Sequence, residues 1–368
     1  MFAVSLYFIF WCILVLLSCY ELICIESSKR SRKRSILPFI LFFFTLLIIF
    51  SGLRSPGVSS DDQVYISIFN QFVKGGGGLT SSTNEYVFVI INQLISFITD
   101  DVFYLFLLFA LLTAFFTIFS FVKASPFITI SVLVYFSHVY LYRDMIQIRA
   151  GLSYAIFMLA LVCFAKKNYK ASIALWLSST LIHFSSFLGV VVPIINKMKF
   201  SSKFVIYSFL FSLVFGAIGL YTPISFLLNN VNLGPLTAPI KTYILSRNEF
   251  NKPLGLLNPT TLKQCIWFFV FFYYREKLKY ELSSDIYFKT YFLSVCILLI
   301  FADFSVFAAR FGSFFAVSEF FLLAALVVVS KKNRRFLFSI IIGYCCMMAS
   351  LNVFSKGLFD GFVFYNFG

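Results

Sequence analysis

The sequence predicts an all-α protein that crosses a membrane many times. Hydrophobic residues make up 60% of the 368 residues and charged residues only 12%, whereas soluble domains average about 45–50% apolar and about 25% charged residues. A single globular core of this size cannot bury that excess, so lipid has to solvate much of the chain. The apolar residues also occur in runs that are long enough to cross about 30 Å of hydrocarbon as helices.

Ten apolar runs predict membrane-spanning helices. They cover residues 3–25, 36–53, 102–122, 126–142, 148–165, 204–222, 260–274, 286–302, 311–329 and 336–354. Residues 171–196 are either one long helix or a hairpin of two short helices that turns at His183 to Ser186. The first run exceeds the ~7–15 residues of a signal-peptide core and precedes a basic cluster, so we expect a helix and not a cleavable signal. The expected fold is a bundle of about 12 (10–12) transmembrane helices in a single domain over residues 1–368.

The basic residues indicate which loops are cytoplasmic. The net charge is +15, but the lysines and arginines lie in short clusters between the apolar runs, as in cytoplasmic loops. This distribution argues against nucleic acid as a partner. If residues 171–196 form a hairpin and the cluster from Lys29 to Arg34 is cytoplasmic, about two thirds of the basic residues fall inside. Both chain ends are then outside.

Two long loops lie outside in this topology. Residues 54–101 contain two capping boxes, Ser60-x-x-Gln63 and Ser82-x-x-Glu85, and each predicts an amphipathic helix that lies in the membrane interface. In the second of these helices one polar stripe is expected, formed by Glu85, Asn92, Ser96 and Thr99. Residues 223–259 are rich in proline and asparagine and are too long to be a mere connector.

The cysteines and histidines predict no metal site. All eight cysteines lie in apolar runs, and neither His138 nor His183 has a cysteine at metal-ligand spacing. We therefore expect neither a bound metal nor a cofactor.

Two residues at the outer helix ends are candidates for a functional site. Arg149 begins an apolar run, where a charge costs roughly 2.5–3.5 kcal/mol at mid-membrane and less near the edge, so it usually has a partner or a function. His183 lies at the predicted turn on the same side. It is either a structural histidine in a helix turn or a group that titrates or donates to a phosphate.

The outer loop and later segments add further candidates. Asp61 and Asp62 either only complement the dipole of their predicted helix, or one of them is a general base or orients a sugar hydroxyl. Arg54 is either an interfacial arginine that snorkels to headgroups or a phosphate ligand. Arg310 either pairs with Asp303 or supplies a further cation. The remaining candidates on this side are Tyr65, Arg143 and Arg247.

Four short segments resemble the EpsG/Wzy-type exopolysaccharide and O-antigen polymerase family. The similar segments are Gly52-Leu-Arg54 with Gly57, Asp61 and Tyr65, then Gln147-Ile-Arg149-Ala-Gly-Leu, Leu181-Ile-His183-Phe-Ser-Ser and Ala309-Arg310-Phe-Gly-Ser-Phe-Phe. They follow the order of the family's early, arginine, histidine and late arginine motifs. The family tends to place the acid closer to the glycine, so either Asp61 or Asp62 matches it.

The resemblance implies a GT-C-like membrane glycosyltransferase at the outer face of the bacterial cytoplasmic membrane. Because the residues predict no metal site, we expect this enzyme to be metal-independent. Such an enzyme transfers a growing O-antigen, capsule or exopolysaccharide chain from undecaprenyl pyrophosphate to the next lipid-linked repeat unit. The predicted catalytic residues are then Asp61, His183 and Arg149. The predicted substrate-binding residues are Arg54, Asp62, Tyr65 and Arg310, together with Arg143 and Arg247, which lie on the same side in the predicted topology. The expected partners are undecaprenyl-pyrophosphate-linked oligosaccharide and membrane lipids, and a chain-length regulator protein is a candidate further partner.

Two other functions stay open at this point. A flippase or transporter of lipid-linked oligosaccharide would place charges on both sides of a central cavity and would show repeated halves. Here the charges within the membrane gather on one side, and no repeat is visible. A membrane acyltransferase that modifies the glycan would also use a histidine, but usually with more than the two present here.

Overall fold

The computed structural model describes residues 2–27, 37–75, 85–230 and 253–366. Within these ranges every regular element is helical, which confirms the predicted all-α class. Several predicted features lie outside the described residues, namely the basic cluster from Lys29 to Arg34, the capping residue Ser82 and the ligand candidate Arg247.

The described helices follow the apolar runs closely. In chain order they are α1 (Phe2–Ser27), α2 (Ile40–Gly52), α3 (Asp62–Val73), α4 (Tyr86–Ser96), α5 (Phe103–Ala124), α6 (Ile128–Tyr135, continued as a π-helix over Phe136–Ile146), α7 (Ile148–Ala165), α8 (Tyr169–Ile182), α9 (Val191–Lys197), α10 (Ser202–Ile218), α11 (Tyr221–Asn230), α12 (Pro259–Tyr273), α13 (Arg275–Glu281), α14 (Ile286–Ile300), α15 (Ser305–Phe315), α16 (Glu319–Val329) and α17 (Arg334–Ser350).

Many of these helices are apolar enough to lie in a bilayer. Within the described ranges, five segments are also long enough to cross it, namely Phe2–Ser27, Phe103–Ala124, Ile148–Ala165, Phe307–Val329 and Lys331–Ser355. Shorter apolar helices include Ile40–Gly52, Ser202–Ile218 and Ile286–Ile300. The chain is thus a multi-pass membrane protein, as its composition predicts, and the number of about twelve crossings stays a prediction.

The ambiguous stretch 171–196 is not one continuous helix. The backbone is extended at His183, with φ −151° and ψ 118°. Beyond it the indole N–H of Trp176 donates to the carbonyl of Ser186 at 2.9 Å, although ten residues of helix would span about 15 Å. Gly189 approaches the same indole so closely that a Cβ there would lie 2.6 Å from the ring. The chain therefore turns back after His183, as the hairpin alternative expects.

The chain divides into two compact units. The first comprises Met1–Gly189, Tyr280–Ser283 and Phe320–Gly368, and the second comprises Val190–Lys279 and Ser284–Glu319.

A hydrophobic core in the first unit holds α3, α4, α5, α7 and α8 together. Its buried members are Tyr65, Ile68, Phe69, Phe72, Phe88, Val89, Ile95, Leu105, Phe106, Phe109, Ile148, Leu152, Ile156 and Ile182. Close packing of such a core leaves little freedom for the backbone. The start of α4, the start of α7 and the end of α8 are therefore fixed relative to one another.

Polar contacts of the first unit occur at both ends of its long helices. At one end Arg335 pairs with Glu26 at 2.8 Å, and the Lys166 ammonium donates to the carbonyl of Lys123 at 2.6 Å. The 18 residues of α7 span about 27 Å, so Arg149 lies at the opposite end. This separation agrees with the predicted sides, and which end faces the exterior stays a prediction.

Candidate functional site

One carboxylate connects the two residues that the sequence singles out. Glu85 Oε2 accepts a hydrogen bond from Arg149 Nη1 at 2.6 Å, and Glu85 Oε1 lies 2.5 Å from His183 Nδ1. The partners are 64 and 98 residues from Glu85 in the sequence. Their side chains are 15–21% exposed, so this Glu85 cluster (Glu85, Arg149 and His183) is largely shielded yet open to solvent.

Helix ends position the three side chains. Glu85 is the N-cap residue of α4, Arg149 lies in the first turn of α7, and His183 is the C-cap residue of α8. The positive end of a helix dipole favours a carboxylate and disfavours a guanidinium, whereas the negative end favours a cation. Arg149 therefore stands at an unfavourable position, and the ion pair with Glu85 offsets that cost.

The Glu85 carboxylate is charged in this environment. Burial alone would raise the pKa of Glu85, but the hydrogen bond from His183, the positive charge of Arg149 and the backbone N–H of Phe184 together hold this pKa below its usual range. A carboxylate can only accept hydrogen bonds. Nδ1 of His183 therefore carries the proton in this contact, and the Ser185 hydroxyl lies 3.2 Å from the other ring nitrogen, Nε2.

Two aromatic rings flank the Arg149 guanidinium. Its Cζ lies 5.2 Å from the ring centroid of Tyr65 and 4.9 Å from that of Phe88, within the range of cation–π attraction. Burial raises the pKa of Tyr65 to about 12, so its phenol stays neutral. Arg149 Nε is buried and has no hydrogen-bond partner among the described residues. A ligand oxygen or a water can satisfy this edge of the guanidinium.

Arg54 and Asp62, predicted as substrate ligands, form an ion pair with each other. Both side chains are fully buried, and both Nη atoms of Arg54 donate to the Asp62 carboxylate. Asp62 also accepts from the backbone N–H groups of Gly57 at 3.1 Å and Ser59 at 3.0 Å and from the Ser59 hydroxyl at 2.5 Å. The two charges therefore neutralise each other away from solvent, and Arg54 Nε is buried without a hydrogen-bond partner among the described residues. A substrate contact by Arg54 or Asp62 stays a prediction.

The capping box predicted at Ser60 and Gln63 does not form. The N-cap residue of α3 is Asp61, and its side chain makes no capping hydrogen bond. The Ser60 hydroxyl contacts the Asp61 carboxylate at 3.4 Å. Asp62 holds the loop before α3, because its carboxylate accepts hydrogen bonds from Gly57 and Ser59. Asp61 remains partly exposed, and its role as a base stays a prediction.

We expect removal of either buried charge to destabilise the fold. Arg54→Ala and Asp62→Ala each leave an unpaired buried charge, which costs roughly 3–5 kcal/mol. Thermal unfolding of the purified protein in detergent measures the effect as a fall in Tm. Arg335→Ala is the matched control, because its pair with Glu26 is largely exposed and such pairs contribute about 0–1 kcal/mol. An unchanged Tm in Arg54→Ala, with loss of substrate binding, would contradict the structural role and support Arg54 as a ligand.

The other predicted ligands occupy different surroundings. Arg143 is buried, and its Nη1 donates to Gln147 Oε1 at 2.9 Å. Gly151 of α7 packs on the same residue, since a Cβ there would lie 2.7 Å from the Arg143 carbonyl oxygen. Arg310 is exposed on α15 in the second unit, and Asp303 accepts a backbone hydrogen bond from Tyr221 at 3.3 Å. A substrate contact by Arg143 or Arg310 stays a prediction.

Glu85 is the residue of this site that sequence reasoning missed. Its pattern predicts a capping residue on the polar stripe of a helix that lies in the membrane interface. In the structure Asn92 is buried and Glu85 is half-buried, whereas Ile90 and Leu94 are exposed. The sequence does contain one signal for Glu85, since no other charged residue occurs from Glu85 to Thr99. An acid that precedes such an apolar segment usually needs a positive partner.

Comparison with known proteins identifies the family. A family model, described as the EpsG family, matches residues 36–367. A curated relative, the amylovoran biosynthesis protein AmsC of Erwinia amylovora, is 25% identical over 344 residues, which cover 89% of this chain and 90% of the relative. No solved structure gives a significant match. The matched residues include the whole Glu85 cluster, and the chain belongs to the EpsG family.

Proposed function

We propose that this EpsG-family protein is a polymerase-type membrane glycosyltransferase. It transfers a growing glycan from undecaprenyl pyrophosphate to the next lipid-linked repeat unit at the outer face of the bacterial cytoplasmic membrane. Family membership and the similarity to an amylovoran biosynthesis protein support a polymerase-type role in exopolysaccharide biosynthesis. The structural observation that carries the proposal is the Glu85 cluster, which places a guanidinium and an imidazole on one carboxylate.

The Arg149 guanidinium suits a departing pyrophosphate. Negative charge grows on the leaving phosphate oxygen as its bond to the anomeric carbon breaks, and a preorganised cation stabilises that charge. Arg149 uses Nη1 for Glu85 and leaves the buried Nε without a partner in the described part of the chain. A guanidinium can bind phosphate oxygens in pairs through such an edge.

The acceptor hydroxyl needs a general base, and His183 can act as that base. With the proton on Nδ1, the lone pair of Nε2 can accept a proton from a hydroxyl. Ser185 Oγ, at 3.2 Å from Nε2, marks a position that a substrate hydroxyl can take. Asp61, which is partly exposed at the start of α3, is the second candidate base.

The proposed reaction uses no divalent metal and no cofactor. Arg149 supplies the positive charge that a metal brings to the phosphate in other enzymes. A chain-length regulator protein is proposed as a further partner in the cell.

Deletion of the gene tests the proposed class of activity. We expect the mutant to carry single repeat units on the carrier lipid or on the final lipid anchor, because export and capping continue without polymerisation. Mass spectrometry and gel analysis of the surface glycan measure this. Absence of all surface sugar would indicate a flippase, and full-length chains of altered mass would indicate an acyltransferase. Either result would contradict the polymerase assignment.

A further inference from the structure

We infer that Glu85 is a positioning residue that fixes the proton of His183 on Nδ1 and holds Arg149 through a single nitrogen. The inference rests on the proposed function, because it assigns Glu85 a role in that reaction. Glu85 itself does not reach the reacting atoms in this scheme. It acts through the two side chains that it binds.

The geometry gives each carboxylate oxygen a separate partner. Oε1 faces His183 Nδ1 at 2.5 Å and Oε2 faces Arg149 Nη1 at 2.6 Å, so one side chain sets the orientation of both. The backbone that carries Glu85 is well held, because Phe88 and Val89 in the next turn of α4 are buried in the core of the first unit. A rigid carboxylate of this kind can select one tautomer of a histidine.

The tautomer decides whether His183 can act as a base. When Nδ1 carries the proton, Nε2 accepts the proton of the acceptor hydroxyl as its oxygen bonds to the anomeric carbon. The bond from that carbon to the pyrophosphate oxygen breaks, and its electron pair leaves with the pyrophosphate. His183 becomes an imidazolium, whose charge the Glu85 carboxylate stabilises without taking the proton.

Replacement of Glu85 by glutamine tests the positioning role with almost no change in side-chain volume. A glutamine amide has nearly the same shape, but its NH₂ group can donate to Nδ1, which moves the imidazole proton to Nε2 and removes the base. The corresponding change in a serine-protease triad lowers kcat by about 10⁴-fold. We expect Glu85→Gln to lower kcat by roughly 10³–10⁴-fold and to leave KM for the lipid-linked repeat within a few-fold. Glu85→Asp keeps the charge and should show an intermediate kcat.

The experiment uses the full-length protein in lipid bilayers, labelled with ¹⁵N-histidine. The chain has two histidines, so His138→Gln assigns the His183 signals. Kinetics and ring ¹⁵N shifts are recorded for the wild type, Glu85→Gln and Glu85→Asp. The control is Glu26→Gln, because Glu26 also pairs with an arginine, at the opposite end of the first unit. We expect Nδ1 to be protonated in the wild type and in the control, and Nε2 to be protonated in Glu85→Gln.

The outcomes distinguish a failure of the Glu85 inference from a failure of the proposed polymerase function. Protonation of Nε2 in the wild type, which needs no variant to fold, would overturn the inference. A Glu85→Gln protein with wild-type kcat, or with kcat lowered but the proton still on Nδ1, would overturn it as well. If the wild type forms no polymer, the proposed function fails, and the ring shifts still report independently whether Glu85 sets the tautomer.

Discussion

Arg149→Lys is expected to stop polymerisation almost as completely as Arg149→Ala. In the proposed reaction Arg149 holds Glu85 through Nη1 and binds a second acceptor through Nε, which is buried and has no hydrogen-bond partner within the described ranges. A lysine ammonium is a point charge and cannot bind Glu85 and a second acceptor in two fixed directions at once. Loss of one preorganised donor costs about 10²–10³-fold in kcat, and both variants should reach that range. The chain-length distribution of the glycan, at equal protein expression, measures the loss.

Arg335→Lys is the matched control for this prediction. Arg335 also forms a pair with a glutamate, Glu26, at 2.8 Å, but it lies on the opposite end of the first unit and is largely exposed. We expect full chain lengths from this variant. Full chain lengths from Arg149→Lys would instead reduce Arg149 to an interfacial arginine that only anchors α7.

His183→Gln is expected to remove turnover and to leave the lipid-linked substrate bound. Glutamine can occupy much of the same volume but cannot accept a proton, and general-base catalysis contributes about 10²–10⁴-fold. Substrate binding should persist because Arg149, the cation proposed to bind the phosphate, is unchanged. Product formation and retention of a radiolabelled lipid-linked repeat, measured on the same purified protein, separate the two effects.

Asp61→Asn decides between the two candidate bases. If His183 is the base, Asp61→Asn should retain activity within a few-fold. The control is His138→Gln, because His138 lies outside the Glu85 cluster and its Nδ1 lies 3.4 Å from the Tyr344 hydroxyl. If the variants of Asp61 and His183 both remain active within a few-fold, neither residue activates the acceptor hydroxyl.

The membrane fold and two of the three cluster residues were predictable from the sequence. Apolar runs specify helices because lipid leaves the backbone no other way to satisfy its hydrogen bonds. Arg149 and His183 stand out for the same reason, since a polar side chain beside an apolar run needs a partner or a function. The extended backbone at His183 follows from the turn that the hairpin alternative places there.

The partners of these residues could not be predicted. Glu85 reaches Arg149 and His183 across 64 and 98 residues, and no local pattern encodes such a distance. Arg54 and Asp62 show the opposite problem. They are eight residues apart, and sequence spacing alone does not tell whether neighbouring opposite charges pair with each other or face a ligand. Burial favours the pair seen in the structure, because an unpaired buried charge is costly.

Direct reconstitution of the reaction tests the assigned activity and site together. Purified protein in detergent is incubated with a lipid-linked repeat unit in excess chelator, and the products are separated by size. We expect a ladder of polymers from the wild type, the same ladder without chelator, and single units only from His183→Gln and Arg149→Ala. Loss of the ladder on chelation, with recovery in Mg²⁺ or Mn²⁺, would contradict the metal-free reaction. Absence of any ladder from folded wild-type protein that binds the substrate would contradict the proposed polymerase activity itself.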